Sequence, residues 1–186
     1  MKNPFALLIA VAAGVLACSG ALAASTPQSF ALPGHGTLLF NVPAGWQSHE
    51  KQLQGGPPAI QFGPRSGAAF AVVITAVWGT TPRGGAPDDA GIRSAVASAA
   101  KDAGPRSVEG SLSLQDFQGS SGHGYYFRAT DKAPPPGEWK YLTQGMVRTG
   151  PIALTFSILT NDGGEATEKA ALEMIRLAVV QPLDSV

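Results

Sequence analysis

The three histidines are the side chains of this sequence best suited to metal binding or acid–base chemistry. His35 and His123 each lie between two glycines, and His49 precedes Glu50. Two imidazoles flanked by glycine could converge as metal ligands, but a zinc site needs three or four ligands, and no ligand spacing of that kind is present. The simpler interpretation is that each glycine serves a turn and each histidine lies at the surface. We therefore predict no metal ligands and no cofactor.

Hydrolysis would require an activated nucleophile, and the sequence contains no Gly-x-Ser-x-Gly elbow. It also contains no phosphate-binding or dinucleotide-binding glycine loop. Ser120 and Ser121 lie close to His123 along the chain, although sequence neighbours rarely form a catalytic triad. No catalytic residue is assigned. The alternative that stays open is a secreted hydrolase that uses His123 with a nearby hydroxyl or carboxylate.

Aromatic and proline residues offer a second kind of site, a binding surface. Trp46 and Trp139 could anchor a partner, but packing is the favoured interpretation for both because large aromatic side chains are usually buried. Recognition is better placed in the loops at 79–87 and 131–137, since loops on a rigid scaffold carry function. The second loop contains three consecutive prolines at 134–136, which form a stiff segment with little entropy to lose on binding.

Charge and cysteine content exclude several classes of function. The 13 basic and 13 acidic side chains are interspersed, so the positive surface of a nucleic-acid-binding protein is missing. Only 14% of the residues are charged, against about 25% in an average soluble domain. The one cysteine, Cys18, lies near the N-terminus. A chain that loses this residue has neither a disulfide nor a thiolate nucleophile.

Residues 1–23 have the pattern of an export signal. Lys2 supplies positive charge, residues 4–17 form an uncharged apolar stretch, and Ala21-Leu22-Ala23 matches the small-x-small cleavage pattern. The apolar run is shorter than the ~20 residues that span a bilayer. The sequence therefore predicts a periplasmic or secreted protein with no membrane span after cleavage.

Cys18 allows a second interpretation of the same segment. Val15-Leu16-Ala17-Cys18 partly resembles a bacterial lipobox, in which the cysteine is lipidated and becomes the first residue. Leu16 is two positions before the cysteine, whereas the leucine of a lipobox is usually three before it. Cleavage after Ala23 is therefore favoured, and a lipid anchor at Cys18 is the alternative.

The patterns beyond the signal predict an α+β domain with a mainly antiparallel sheet of six to eight strands and two principal helices. Residues 24–36 are expected to be a flexible lead-in to a single domain at 37–183. Helices are predicted from Asp88 or Asp89 to Ala103, with the apolar face Ile92, Val96, Ala99 and Ala103, and from a capping box at Asp162–Glu165 to Val179, with Leu177 on its buried face.

Strands are predicted by β-formers and turn residues at 37–42, 59–62, 69–78, 111–114, 124–130, 139–147 and 152–159. The apolar, β-branched run at 69–78 is expected to be a central strand covered on both faces.

The order of these features resembles one superfamily of exported domains. An export signal is followed by Phe-x-Val-Pro-x-Gly-Trp at 40–46, a helix, a Gly-Tyr-Tyr strand at 124–126, a hairpin and a C-terminal helix. This layout is similar to the PsbP-like superfamily, which includes periplasmic proteins and lipoproteins of the DcrB and LpqN types. The resemblance implies an antiparallel sheet between helices, an αβα sandwich, and a role as an accessory or scaffolding subunit.

These observations together predict an exported, non-catalytic accessory or binding protein of the bacterial cell envelope. The expected partner is another envelope protein, and nucleic acid is not expected.

The cleavage prediction can be tested on the exported protein itself. Mass spectrometry should find an N-terminus at Ala24, because the small-x-small pattern ends at Ala23. A diacylglyceryl-modified Cys18 would establish the lipoprotein alternative instead. Cys18→Ala should leave the N-terminus unchanged if signal cleavage follows Ala23, and should release the protein from the membrane fraction if it does not.

Overall fold

A computed structural model describes residues 24–51, 59–79 and 85–183. The predicted export signal, including Cys18, lies outside the described residues. The described chain forms ten strands, two helices and one 3₁₀ turn. The strands are β1 Ser25–Leu32, β2 Gly36–Pro43, β3 Trp46–Lys51, β4 Ala59–Pro64, β5 Ala71–Val77, β6 Gln115–Gln118, β7 His123–Thr130, β8 Tyr141–Thr149, β9 Ile152–Thr160 and β10 Val179–Gln181. The helices are α1 Asp89–Ala103, which runs into the 3₁₀ turn Gly104–Arg106, and α2 Glu165–Arg176.

The strands form two antiparallel sheets. The larger sheet has seven strands in the order β3-β4-β5-β9-β8-β7-β6, and the smaller sheet has the order β1-β2-β10. The strand at 69–78 was predicted to be central with both faces covered, and β5 does lie inside the larger sheet between β4 and β9. One of its faces is fully buried and the other is mostly half-buried. The predicted α+β fold with a mainly antiparallel sheet and two principal helices is confirmed.

Two hydrophobic cores lie on opposite faces of the larger sheet. The larger core contains side chains from the smaller sheet and α2 packed against alternate residues of β4, β5 and β9, including Ile74 and Phe156. The second, which we call the α1 core, contains Ile92, Val96 and Ala100 packed against Tyr125, Phe127 and Ala129 of β7. Since successive residues of a strand point to opposite faces, β7 and β8 contribute to both cores.

Helix α1 begins as the sequence predicted. The carboxylate of Asp88 accepts a hydrogen bond from the Gly91 amide at 2.8 Å and caps the helix. Ile92 and Val96 are buried as expected, and Ala100 joins them, while Ala99 and Ala103 are partly buried beside them. The small side chains on this face allow the helix to lie close to β7 and β8.

The expected lead-in at 24–36 is a strand. Residues 25–32 form β1 and pair with β2 along its whole length. Phe30 and Leu32 belong to the larger core, and Phe30 packs edge-on against Phe62 of β4 with ring centroids 5.9 Å apart. Pro27 is tolerated because β1 is an edge strand of its sheet. The sequence analysis missed this strand because residues 25–29 are polar or proline, which leaves no long run of β-formers.

The predicted strand at 111–114 is wrong, and the strand begins four residues later at Gln115. Leu112 and Leu114 pack instead beside the α1 core from an irregular segment. Two further strands, β3 and β10, were not predicted. β3 is mostly exposed at an edge of its sheet, so it has no apolar alternation for a sequence analysis to detect.

The second helix differs from its prediction at both ends. Asp162 does not cap it, since its carboxylate accepts from Lys140 Nζ and Tyr141 Oη, and the N-cap is Gly164, which has no side chain to bond. The helix ends at Arg176 rather than Val179 because the next residues return to pair with β2 as β10. Leu177, which was predicted to be buried, is 39% exposed.

A pair of substitutions tests the end of α2. Ile175→Ala should lower the free energy of unfolding by about 2–5 kcal/mol, because it empties a buried aliphatic site. Leu177→Ala should lower it by no more than about 1 kcal/mol, because much of this side chain is already in water. Urea unfolding of both variants measures the difference. Equal losses would mean that the helix continues past Arg176 with Leu177 inside.

Candidate functional site

A cleft lies beside the connection between β7 and β8, where the sequence placed recognition. It has a volume of about 440 Å³, within the ~300–1,000 Å³ of pockets that hold small ligands. We call this space the cleft and residues 131–140 the connection. The cleft is lined by Ala103, Arg106, Ser107, Ala129, Asp131, Pro135, Glu138, Trp139, Lys140, Leu142 and Leu159.

The register of the larger sheet builds the floor of the cleft. Leu159 of β9 pairs with Leu142 of β8, and Leu142 pairs with Ala129 of β7. The three side chains therefore form one row across three strands, on the face that α1 covers. Ala103 is the last residue of α1 and adds to this row. The helix stops just there, which leaves the end of the row open to a ligand.

Hydrogen bonds at both of its ends hold the connection in place. The Asp131 amide donates to the Lys140 carbonyl at 2.8 Å, and the Lys132 amide donates to the Arg106 carbonyl at 3.1 Å. Lys132 Nζ also donates to the Pro105 carbonyl at 3.0 Å. Gly137 closes the turn with a φ of +86°, a conformation that side-chain-bearing residues rarely adopt. With three prolines added, the connection is ordered before any partner arrives.

Trp139 is half-buried and lines the cleft, so it is not the core residue that the packing interpretation expected. It lies in the connection two residues before β8, although the sequence analysis placed it at the start of that strand. Trp46 does pack as expected: it is 9% exposed and lies against Phe70, with ring centroids 4.5 Å apart. The two tryptophans therefore have different roles, and Trp139 offers an aromatic surface to a ligand.

Charges of both signs surround the cleft. Lys140 Nζ donates to Asp162 at 2.8 Å, and this bond, followed by the one from Tyr141, holds the pKa of the Asp162 carboxyl below its ordinary value. The same contact with Asp162 raises the pKa of Lys140. Arg106 and Glu138 are exposed, and among the described residues no side-chain hydrogen bond or ion pair engages either of them. These two charges are available to a ligand.

His123 belongs to a second polar cluster, at the N-terminal end of α1. Its Nδ1 lies 2.8 Å from Oδ1 of Asp89, the first residue of the helix. Tyr125 Oη donates to the other carboxylate oxygen at 3.0 Å. The bond to His123, and then the bond from Tyr125, hold the pKa of the Asp89 carboxyl below its ordinary value. Burial, followed by the bond to Asp89, raises the pKa of Tyr125.

Among the described residues, no hydroxyl hydrogen-bonds to His123, so this cluster has no nucleophile of the kind that a triad needs. A carboxylate at Nδ1 is the orienting half of a catalytic triad, but the neighbour of Nε2 is Oδ1 of Asp116, at 3.5 Å. Ser120, the sequence candidate, donates its hydroxyl to the Ala178 carbonyl at 2.6 Å. The structure therefore brings together His123 and a carboxylate, and directs the nearby serine elsewhere.

The other two histidines have separate surroundings. His35 lies in the β1–β2 turn and stacks on Trp78, with ring centroids 4.4 Å apart. His49 is exposed on β3, five strands from His123 on β7, or about 24 Å at the usual strand spacing. Within the described residues, no three His, Cys, Asp or Glu side chains are placed to share a metal ion. Nor is any helix of the described chain long and apolar enough to cross a membrane.

Tyr125 packs in the α1 core, and Tyr126 packs on the other face against the larger core, as strand alternation requires. Most of the predicted recognition loop at 79–87 lies outside the described residues. Its described ends are tied down, since the Ala86 amide donates to the Pro151 carbonyl at 2.9 Å.

The sequence analysis did not identify Arg106, Leu142 or Leu159 as part of a site. These residues come from three separate elements, and no local pattern links them. Only the connection could have been identified from local sequence, because the three prolines, Glu138 and Trp139 lie within six residues of one another.

Comparisons with known proteins show a likeness of fold. No protein-family model and no curated protein matches the chain. A crystal structure from Bacteroides thetaiotaomicron VPI-5482 is similar at 21% identity and a TM-score of 0.50, over 80% of this chain and 46% of that one. The chain therefore spans about half the length of that protein. The solution structure of cyanobacterial PsbP (CyanoP) from Synechocystis sp. PCC 6803 is similar at 16% identity and a TM-score of 0.47, over 90% and 99%. The superfamily that the order of elements resembles is thus represented among the similar structures by PsbP, at this low level of similarity.

The two tryptophans give a stability test of the site. Trp46→Ala should lower the free energy of unfolding by about 3–5 kcal/mol, because it empties a core site. Trp139→Ala should lower it by about 1–2 kcal/mol, because part of that side chain is already in water. Chemical unfolding of each variant provides the comparison. A loss at Trp139 as large as that at Trp46 would make Trp139 a structural residue and not a recognition residue.

Proposed function

We propose that this protein is an exported, non-catalytic accessory or binding protein of the bacterial cell envelope, and that it holds a protein partner in the cleft. The observation that supports this function best is the cleft itself. An ordered connection places a half-exposed tryptophan and two unengaged charges around an apolar floor. Aromatic side chains and arginine are enriched among the residues that dominate the energy of protein interfaces.

Preorganisation supports a binding role for the connection. A flexible loop would lose conformational freedom when a partner binds, and that loss would reduce the affinity. The prolines and the backbone bonds of Asp131 and Lys132 remove most of this loss in advance. The connection therefore has the properties of a recognition loop rather than of a plain link between two strands.

The hydrolase alternative has one observation in its favour, the contact between His123 and Asp89. A general base of this kind still needs a nucleophile or a water at its other nitrogen. At that nitrogen the neighbouring group is the carboxylate of Asp116, which cannot serve as the hydroxyl of a triad. Binding at the cleft is therefore the better-supported function.

The proposed location rests on the sequence pattern of residues 1–23. Lys2, the apolar stretch and Ala21-Leu22-Ala23 favour export, and periplasmic or secreted placement follows from that pattern. A partner in the same compartment is the corresponding expectation.

Site-specific photocrosslinking in the native envelope tests the proposed function. Glu138 is exposed at the cleft, so p-benzoylphenylalanine can replace it without disturbing a core. Irradiated cells should give a discrete protein adduct, because a bound partner would lie within reach of the probe. The adduct is read as a shifted band on an immunoblot and identified by mass spectrometry.

The matched control carries the same probe at Glu50, an exposed glutamate of β3 outside the cleft. It should give no such adduct. Replacing Pro134, Pro135 and Pro136 with alanine should weaken the Glu138 adduct while the protein keeps its fold, because the connection would lose its preorganisation. No adduct at Glu138, or the same adduct from both positions, would contradict the proposal.

A further inference from the structure

We infer that the cleft binds an extended peptide segment that inserts one aromatic or long aliphatic side chain between flanking residues of opposite charge. This inference rests on the proposed function and specifies the chemistry of the partner. Three features of the described residues support it: the apolar floor, the tryptophan beside it, and two unengaged charges from different elements.

The floor sets the nature of the anchor. Ala129, Leu142 and Leu159 present only hydrocarbon, and none of them can hydrogen-bond a polar group through its side chain. A polar ligand group placed on this row would lose its water without compensation, whereas an apolar side chain would gain by leaving water. Trp139 and Pro135 add an aromatic and a ring surface to the same space. Together these groups favour a bulky apolar side chain over a sugar or a small ion.

The charges set the flanking residues. Arg106 lies in the 3₁₀ turn that follows α1, Glu138 belongs to the connection, and both line the cleft. Asp131 and Lys140 also line the cleft, but both are engaged inside the protein, by the Ala133 amide and by Asp162. The charges left for a ligand are thus one positive and one negative. A segment with an acidic residue on one side of its anchor and a basic residue on the other complements both.

The shape of the site suits a peptide rather than a free small molecule. The cleft opens at the protein surface, and its walls come from two backbone segments, the 3₁₀ turn and the connection. An extended chain directs every second side chain to the same face, so the side chains two residues before and two residues after the anchor, each about 7 Å from it, can reach both walls. Electrostatic pairing at exposed positions contributes mainly to selectivity, while the anchor contributes affinity.

Synthetic pentapeptides with purified protein test the inference. The probes are fluorescein-labelled Glu-Gly-Phe-Gly-Lys and Lys-Gly-Phe-Gly-Glu, and their counterparts with alanine at the centre, measured by fluorescence polarisation. The better of the two phenylalanine peptides should bind at least about tenfold more tightly than its alanine counterpart. Equal binding of that phenylalanine peptide and its alanine counterpart would overturn the inference, because the floor would then have no preference for a bulky apolar anchor.

Charge reversal at Arg106 and Glu138 tests whether these two exposed side chains select the charges of the peptide. Arg106→Glu should shift the preference to Lys-Gly-Phe-Gly-Lys, and Glu138→Lys should shift it to Glu-Gly-Phe-Gly-Glu, because each change leaves two like charges at the cleft. Unchanged preferences would overturn the assignment of these side chains. Neither residue is in a core, so both variants should fold, and circular dichroism checks this.

A tryptophan pair locates the binding. Trp139→Ala should reduce peptide affinity at least about tenfold, as for other interface anchors. Trp78→Ala is the matched control, since Trp78 is also half-buried but packs on His35, outside the lining of the cleft. Equal losses of peptide affinity in the two variants would mean that the peptide does not bind at the cleft. If Trp139→Ala does not fold, the peptide affinities of Trp139→Phe and of the two charge-reversal variants provide the test instead.

The peptide-binding and crosslinking experiments together distinguish a failure of this inference from a failure of the proposed function. If the Glu138 crosslink forms but none of the peptides binds, the chemistry inferred for the partner is wrong and the binding function stands. If the peptides bind as expected but no crosslink forms, the cleft recognises this chemistry and the envelope partner is wrong.

Discussion

The register of β9 is the constraint on which the rest of the structure depends. Ile152, Leu154, Phe156 and Ile158 all enter the larger core, and the residues between them face the α1 side. A shift of one residue would exchange the two sets and turn the fully buried apolar row towards the half-buried α1 side. The same register aligns Leu159 with Leu142, and therefore sets the floor of the cleft. Folding and the candidate site are thus specified by one alignment of strands.

That alignment also explains why the cleft lies where it does. The row through Ala129, Leu142 and Leu159 runs along the α1 side of the sheet, and α1 ends at Ala103 before covering it fully. Gly104 continues the chain into the 3₁₀ turn, where a Cβ would lie only 2.7 Å from the Gly110 carbonyl oxygen. The backbone at Gly104 therefore packs too close to Gly110 to leave room for a side chain. The open floor is therefore a result of where one helix stops, with the connection as its outer wall.

Local patterns predicted a large part of the fold. Asp88, the stripe beginning at Ile92 and the glycine at 104 are sufficient to place α1, because capping and helical periodicity act over short distances. The three prolines at 134–136 indicated a recognition segment for the same reason, whereas Trp139 was expected to pack. By contrast, β1 and β10 are strands only because β2 lies between them, and β2 is distant in sequence from β10. Asp162 resembled a cap, but its partners Lys140 and Tyr141 lie on another element. Arg106 joins the site through folding alone. Sequence analysis fails where the deciding contact is between distant residues.

The position of β10 has a consequence for how the protein is made. Val179 pairs with Leu39 across about 140 intervening residues, so the smaller sheet remains incomplete until almost all of the described chain has been synthesised. Closing so long a loop before its contacts form is entropically unfavourable, which makes the last step of assembly slow. Until then β2 presents an unpaired edge beside apolar residues of the larger core, and such an edge makes the incomplete chain prone to aggregation.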